Sequence, residues 1–221
     1  MYSLREWQNL KKDVRNLIIG ASVTDGTDNW VPFPIGATIH ATFEILQYNQ
    51  EGPHDKTVLC SINTYTDKWR RQENNRESFV NILTSNGISN QNIPFKDYQK
   101  TLTEYKFVVS PEGNGIDCHR HYEALLAGCI PIVEDNPLIR EKYKGCPILY
   151  TKDYSEITIE YLEKVYSEMI DQKYVFNVLF LSNYPPNIQG QIKSNSRFWS
   201  KRYGLPLWYP EPKLKWLKIY K

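Results

Sequence analysis

The stretch Tyr105–Val133 reads YKFVVSPEGNGIDCHRHYEALLAGCIPIV and decides how the chain folds. It opens with Phe107–Val109, a short and continuously apolar run that predicts a buried strand. A polar loop with two glycines follows at 111–117. Residues 118–128 then predict a helix that ends at a glycine, and Ile130–Val133 predicts a second buried strand. This order of strand, loop, helix and strand is typical of a unit whose two strands run parallel.

The same alternation continues on both sides of this unit. Further strands are predicted at 56–62 and 147–150, and further helices at 68–86, 95–105, 136–144 and 155–170. The strands are continuously apolar rather than alternating, which indicates a parallel sheet buried on both faces. The sequence therefore predicts an α/β fold, with a Rossmann-like parallel sheet and helices on both faces. Ligands of such sheets bind beyond the carboxyl ends of the strands, so the loop after Val109 is the first place to look for chemistry.

This loop and the first turn of the next helix carry groups suited to a nucleoside diphosphate. Gly113 and Gly115 allow the backbone to approach a ligand closely. The helix is expected to begin at Asp117, and free amides at a helix N-terminus attract phosphate. Arg120 can donate two hydrogen bonds to the same phosphates, and Glu123 lies on roughly the same helix face, where its carboxylate can accept from ribose hydroxyls. The alternative is an ordinary turn in which Arg120 and Glu123 form a surface ion pair.

The stretch resembles the donor-binding domain of GT-B glycosyltransferases and is most similar to the exostosin-like transferases. The exostosin-like pattern is filled by Phe107, Pro111, Gly113, Arg120, Glu123, Ala124, Gly128, Cys129, Pro131 and Ile132. Fucosyltransferase-like features are present at Tyr105, Lys106, Phe107, Asp117, Ala124, Leu125, Gly128 and Pro131. The resemblance is strong over 105–133 and loose over the flanking sheet.

The resemblance implies that Arg120 holds the diphosphate and Glu123 contacts the ribose, and we predict both as catalytic residues. The predicted donor-binding residues are Asn63, Ser110, Gly113, Asn114, Gly115, Asp117, His119, Arg120 and Glu123. One of Arg70, Arg71 and Arg76 on the preceding predicted helix is a further candidate.

The function implied is transfer of a sugar from a nucleoside-diphosphate sugar to a hydroxyl of a glycan or glycoprotein. We expect no cofactor and no metal, because an Asp-x-Asp motif is absent from the sequence. We favour a UDP-sugar, since no acidic residue is left over to read guanine: Glu112 lies in the phosphate loop and Glu123 is assigned to ribose. The alternative is a non-catalytic nucleotide- or glycan-binding module that needs a partner for the acceptor half.

Composition and charge suggest three parts in the 221 residues, which are 41% hydrophobic with a net charge of +2. Residues 1–54, with an amphipathic helix predicted over 4–17, are expected to form a reduced or partial acceptor side. Residues 55–192 are the predicted nucleotide-sugar-binding domain. Residues 193–221 form a basic, aromatic tail that contains eight Lys or Arg and one Glu. The tail is expected either to pack on the domain or to touch a membrane surface.

Several partners and locations are disfavoured by the sequence. The remaining residues are net acidic, so we expect no nucleic-acid partner. The N-terminus carries charges where a signal peptide is apolar, and no run reaches membrane-spanning length, so a cytoplasmic chain is expected.

Two smaller patterns leave alternatives open. The run Cys118-His119-Arg120-His121 contains metal-ligand types, but histidines two apart on a helix diverge, so a polar contact from His119 to the sugar or phosphate is favoured over zinc. A histidine that is simply packed or on the surface is the other alternative. Asp25, Asp28 and His40 are candidate general bases or ordinary turn residues.

Overall fold

The structure is a computed structural model that describes residues 1–21, 33–40 and 51–209. Its strands are β1 (Tyr2–Ser3), β2 (Lys56–Leu59), β3 (Tyr105–Val109), β4 (Ile130–Glu134), β5 (Leu149–Thr151) and β6 (Lys173–Tyr174). Its α-helices are α1 (Leu4–Gln8), α2 (Arg76–Ser85), α3 (Phe95–Leu102), α4 (His119–Ala127), α5 (Pro137–Lys142), α6 (Ile159–Met169) and α7 (Pro186–Arg202).

A four-stranded parallel sheet organises these elements. Its strands lie in the order β2-β3-β4-β5, and Phe107 of β3 pairs with Ile130 of β4 at its centre. Neighbouring residues of a strand face opposite sides of the sheet, so Val58 and Leu59 of β2 belong to different layers. Val58 and Phe107 share a core with side chains of α2 and α6, whereas Leu59 shares one with side chains of α3 and α4. The predicted α/β fold, with a parallel sheet covered on both faces, is confirmed.

The three helices that differ most from their predicted bounds are shorter than predicted, and side-chain caps explain two of these differences. The helix expected over 68–86 begins only at Arg76, because the Asn75 side chain accepts backbone N–H bonds at the first turn. The helix expected from Ser155 begins at Ile159, after Thr158 has capped it. The amphipathic helix expected over 4–17 is limited to Leu4–Gln8, followed by a 3-10 turn at Val14–Asn16.

The N-terminal segment packs into the same core as the parallel sheet. Trp7 of α1 is 1% exposed, and its ring stacks on Phe176 with a centroid distance of 3.9 Å. Its indole Nε1–H donates to the Leu125 carbonyl of α4 at 2.7 Å. The first residues of the chain are therefore fixed directly on the helix that carries Arg120 and Glu123.

The described part of the basic tail also packs on the domain. Helix α7 runs straight through the boundary expected at 192/193. Beyond it, Trp208 and Tyr209 are buried, and the Tyr209 hydroxyl donates to the Leu17 carbonyl. Residues 210–221 lie outside the described residues, and contact of the tail with a membrane surface stays a prediction. Among the helices described, none combines the length and apolar character needed to cross a bilayer.

Replacing Trp7 by Ala tests whether this N-terminal anchor stabilises the domain. We expect the free energy of unfolding to fall by about 3–5 kcal/mol, because the change empties a buried aromatic site and removes the indole hydrogen bond to the Leu125 carbonyl. The measurement is denaturant unfolding followed by circular dichroism. Trp69→Ala is the matched control, since Trp69 is 68% exposed. Equal unfolding midpoints for the two variants would contradict the assignment.

Candidate functional site

A cleft of about 700 Å³, here called the main cleft, lies at the carboxyl-terminal edge of the sheet. It is lined by loop residues that follow β2, by the glycine-rich loop that follows β3, and by the first turn of α4. The loop after β2 and the continuous stretch from the loop after β3 into α4, which are far apart in sequence, therefore meet where the parallel strands end. This is the position that the sequence predicts for the chemistry.

A buried arginine fixes the loop after β3. Arg76, only 6% exposed, donates to the carbonyls of Pro111 at 3.1 Å and Glu112 at 2.7 Å. A Cβ atom placed on Gly113 would lie 2.9 Å from the Arg76 guanidinium, so any larger residue there would displace it. Of the three arginines considered from the sequence, this is the one that lines the main cleft.

The other two arginines, Arg70 and Arg71, form ion pairs that stabilise the loop on the side away from the main cleft. Arg70 pairs with Glu112 at 2.6 Å. Arg71 pairs with Glu134 at the end of β4 at 2.7 Å, and also with the fully buried Asp67 at 2.7 Å. These partly buried pairs hold the loop against the sheet, and the positive charge that faces the main cleft comes from Arg76 and Arg120.

The first turn of α4 presents its amides and Arg120 to the main cleft. Cys118 occupies the N-cap position without a side-chain hydrogen bond to the helix, and Cys118, His119 and Arg120 all line the cleft. The Arg120 Nε–H donates to the Tyr98 hydroxyl at 2.9 Å, which aims the guanidinium. Burial opposes the charge on Arg120, but Tyr98, Cys118 and Glu123 outweigh it and raise its pKa above the usual range. Arg120 is therefore a permanent cation.

The pKa of the Cys118 thiol reflects the positive charges near this turn. Burial alone would raise its pKa, yet nearby His121, Arg76 and Arg120 lower it below the ordinary value. A net lowering despite burial means that the cationic groups around this thiol, His121 beneath the loop and the two arginines of the main cleft, outweigh its desolvation.

Glu123 forms an acidic part of the cleft wall. It is 4% exposed, and its carboxylate accepts the Thr38 backbone N–H at 3.2 Å. Burial raises its pKa to about 7, although the Thr38 N–H and Arg120 act in the opposite direction. Arg120 and Glu123 both face the cleft, as predicted from their spacing, rather than forming a pair on the protein surface.

Asp117 is a wall residue whose carboxylate is already occupied by protein groups. It is 2% exposed, accepts the Tyr143 hydroxyl at 2.6 Å and forms an ion pair with Lys142. It also accepts the backbone N–H of Cys118 at 3.0 Å. These contacts anchor the start of α4 to α5, so Asp117 positions the first turn.

The two histidines of the first turn face different surroundings, as predicted. His119 lines the main cleft, and its Nδ1–H donates to the Gly36 carbonyl at 2.7 Å. His121 is fully buried and shares a hydrogen bond of 2.7 Å with Ser110. Ser110 is itself 0% exposed and does not line the cleft. The structure therefore places this predicted donor-binding residue beneath the loop, beside His121 and the Cys118 thiol.

Most predicted donor-binding residues come together in the cleft. Its lining includes Asn63, Gly113, Asn114, Gly115, Asp117, His119, Arg120 and Glu123. Sequence reasoning missed Tyr98 and Thr38, because a buried tyrosine on an amphipathic helix and a loop backbone amide carry no motif. Among the candidate bases, Asp25 and Asp28 lie outside the described residues, and His40 is exposed on a loop next to Thr38.

Residues 57–179 match the family model of the RXYLT1 C-terminal domain. The chain belongs to this family. The matched region includes β3, β4, β5 and α4, so the elements that form most of the main cleft lie within the RXYLT1 C-terminal domain.

Curated relatives of this RXYLT1-type domain bear one name, ribitol-5-phosphate xylosyltransferase 1. The Danio rerio protein is 24% identical over 154 residues, which cover 58% of this chain and 35% of that protein. The Homo sapiens protein is 24% identical over 172 residues, which cover 64% of this chain and 38% of that protein. The chain thus spans a little over a third of the length of these relatives. The predicted relationship to glycosyltransferases is confirmed, whereas the finer exostosin-like assignment is not.

A solved structure titled as an alpha1,3-fucosyltransferase aligns with 96% of this chain and 65% of that chain, at 15% identity and a TM-score of 0.41.

Because the pKa of Glu123 is raised in the folded state, ionisation of this residue should make the free energy of unfolding depend on pH. Below its ordinary pKa of 4.5 the carboxyl is protonated in both the folded and the unfolded chain. Between 4.5 and about 7 only the folded state keeps the proton, so stability from this group falls as the pH rises through that window, by about 3 kcal/mol in total.

Glu123→Gln isolates this effect, because all other titrating groups cancel in the difference between the two proteins. Denaturant unfolding at pH 4 and pH 8 should show the wild type losing stability relative to Glu123→Gln. If the difference in free energy of unfolding between the two proteins is the same at both pH values, the raised pKa of the buried Glu123 carboxyl is contradicted.

Proposed function

We propose that the domain binds a nucleoside-diphosphate sugar in the main cleft and transfers the sugar to a hydroxyl of a glycan acceptor. The observation that carries the proposal is the convergence of two arginines, Arg76 and Arg120, with the uncapped first turn of α4 at the cleft wall. Backbone amides and guanidinium groups arranged in this way suit a diphosphate. The membership in the RXYLT1 C-terminal domain family supports the same reaction class.

Catalysis in this proposal is stabilisation of the leaving group. As the bond to the sugar breaks, negative charge grows on the nucleoside diphosphate. Arg120 is fixed by Tyr98 and Arg76 by the loop carbonyls, so both are held in place before the reaction and need little reorganisation. We propose that these groups and the α4 amides supply the positive charge and that the site works without a metal ion.

Glu123 is placed to contact the ribose. Its carboxylate is on the α4 face that lines the main cleft, one helical turn from Arg120. Two ribose hydroxyls donating to it would favour its ionised form and offset the cost of burial. Uridine is the favoured base, and the names of the relatives make xylose the first sugar and ribitol 5-phosphate the first acceptor to try.

Arg120→Ala tests the phosphate role directly. We expect UDP binding to weaken by about 2–4 kcal/mol, because a charged hydrogen-bond donor to the phosphates is lost. Isothermal titration calorimetry measures the affinity, and circular dichroism confirms the fold. Arg120→Lys keeps the charge but loses the planar guanidinium, so its affinity for UDP should lie between those of the wild type and Arg120→Ala. Arg5→Ala is the matched control, since Arg5 is an exposed arginine paired with Asp171.

UDP binding by Arg120→Ala at the wild-type affinity would overturn the assignment. Tight UDP binding by the wild type, without any hydrolysis or transfer of a UDP-sugar, would instead favour the non-catalytic binding module.

The preference for uridine is tested by titrating UDP and GDP into the same preparation. We expect UDP to bind more tightly, because a larger guanine requires an acidic partner, and the acidic wall residues are otherwise engaged: Glu123 is assigned to the ribose and Asp117 pairs with Lys142. A clear preference for GDP in calorimetry would contradict this reading and favour a guanosine donor.

A further inference from the structure

A second, smaller cavity of about 140 Å³ adjoins the main cleft, and we call it the side cavity. Its walls include His40, Trp199 and Tyr203, together with Thr38 and His119. Thr38 and His119 line both cavities. The two spaces therefore meet at His119, the first residue of α4.

The walls of the side cavity are aromatic. The rings of Trp199 on α7 and of Tyr203 at the C-cap of α7 stack at 6.0 Å with an angle of 22°, and the His40 ring lies 5.2 Å from that of Tyr203. His40 also contacts Phe95 at 5.5 Å, and Phe95 lines the main cleft. Tyr203 remains 50% exposed, so this aromatic surface is accessible from solvent.

Such a surface suits a polyhydroxylated ligand. Aromatic faces pack against the C–H groups of a sugar or alditol, while its hydroxyls face polar atoms and water. The Arg202 guanidinium lies 5.4 Å from the Trp199 ring centroid and adds positive charge near the same wall, which favours an acceptor that carries a phosphate.

We propose that the side cavity binds the acceptor's sugar or alditol unit and that His119 accepts the proton of its attacking hydroxyl. The proposal rests on the proposed function, because it needs a donor sugar in the main cleft. It assigns a role to the aromatic residues of α7, which the sequence pattern marks only as part of a basic tail.

The hydrogen bond of His119 defines which nitrogen is available. A carbonyl can only accept, so the bond to Gly36 places the ring proton on Nδ1 and leaves the lone pair on Nε2. Burial is the main influence on the His119 pKa and lowers it, His40 acts in the same direction, and the Gly36 carbonyl and Asp117 oppose them. The ring is therefore neutral near pH 7 and can take a proton.

The step balances without any other reactant. The acceptor oxygen forms a bond to the anomeric carbon of the donor sugar. The bond from that carbon to the nucleoside diphosphate breaks, and the diphosphate oxygen keeps the electron pair. The hydroxyl proton passes to His119 Nε2.

The acceptor subsite is tested by ligand-observed NMR with UDP-saturated protein. The probes are ribitol 5-phosphate and the methyl glycosides of xylose, galactose and mannose. We expect the wild type to bind at least one probe, and Tyr203→Ala and Trp199→Ala to weaken that binding about tenfold. Tyr203→Phe keeps the ring and should bind normally, as should Phe198→Ala, whose exposed ring on α7 is outside the cavity lining.

The affinity for UDP, measured on the same variants, distinguishes failure of the acceptor subsite from failure of the proposed donor site. Wild type that binds UDP but none of the probes overturns the acceptor subsite alone, as does unchanged probe binding by both alanine variants. Wild type that fails to bind UDP overturns the proposed function itself.

The proton-accepting role is tested with His119→Ala. We expect kcat for hydrolysis or transfer of UDP-xylose to fall by about 100-fold or more, while UDP affinity changes far less. Added imidazole should restore part of the rate, which a purely structural role of His119 would not allow. Unchanged kcat, or no response to imidazole, overturns this role.

Discussion

The architecture of the site depends on one buried group, the Arg76 guanidinium. A loop that leaves a parallel sheet and enters a helix within a few residues has carbonyl oxygens with no backbone partner. Arg76 supplies donors to two of them, at Pro111 and Glu112. Because an unpaired buried polar group costs about 1–3 kcal/mol, this contact selects one conformation of the loop. Gly113 is then required for close approach, and the cleft takes its shape around both residues.

Electrostatics in the main cleft are a balance between burial and charge. Burial disfavours every ion in the site, and it prevails at Glu123, whose pKa it raises to about 7, and at His119 and Arg76, whose pKa it lowers. At Arg120 and Cys118, neighbouring charges outweigh burial. The main cleft thus combines the cationic Arg120 with a carboxyl whose pKa lies near neutrality, an arrangement that suits an anionic ligand.

The sequence predicts this region well where the determinants are local. The strand, glycine loop, helix and second strand over 105–133 follow from apolar runs and glycines, and the spacing of Arg120 and Glu123 places both on the cleft. Contacts made across long separations escape such reasoning. Tyr98 aims Arg120 from another helix, and nothing near Ser110 in the sequence reveals that His121 covers it. The start of α2 at Arg76 depends on a cap and on the buried Asp67, which an amphipathic pattern does not show.

The anchoring of the N-terminal segment has an electrical consequence for α4. An α-helix carries partial positive charge at its first turn and partial negative charge at its last, because its end amides and carbonyls lack partners. At the last turn, the Trp7 indole donates to the Leu125 carbonyl and the Gln8 amide donates to the Gly128 carbonyl just beyond it. The carbonyls at the negative pole of α4 are thus satisfied by side chains from the first helix of the chain, whereas no side chain caps the positive pole. The partial positive charge of the first turn of α4 therefore lies at the wall of the main cleft, where no side chain offsets it through a capping hydrogen bond.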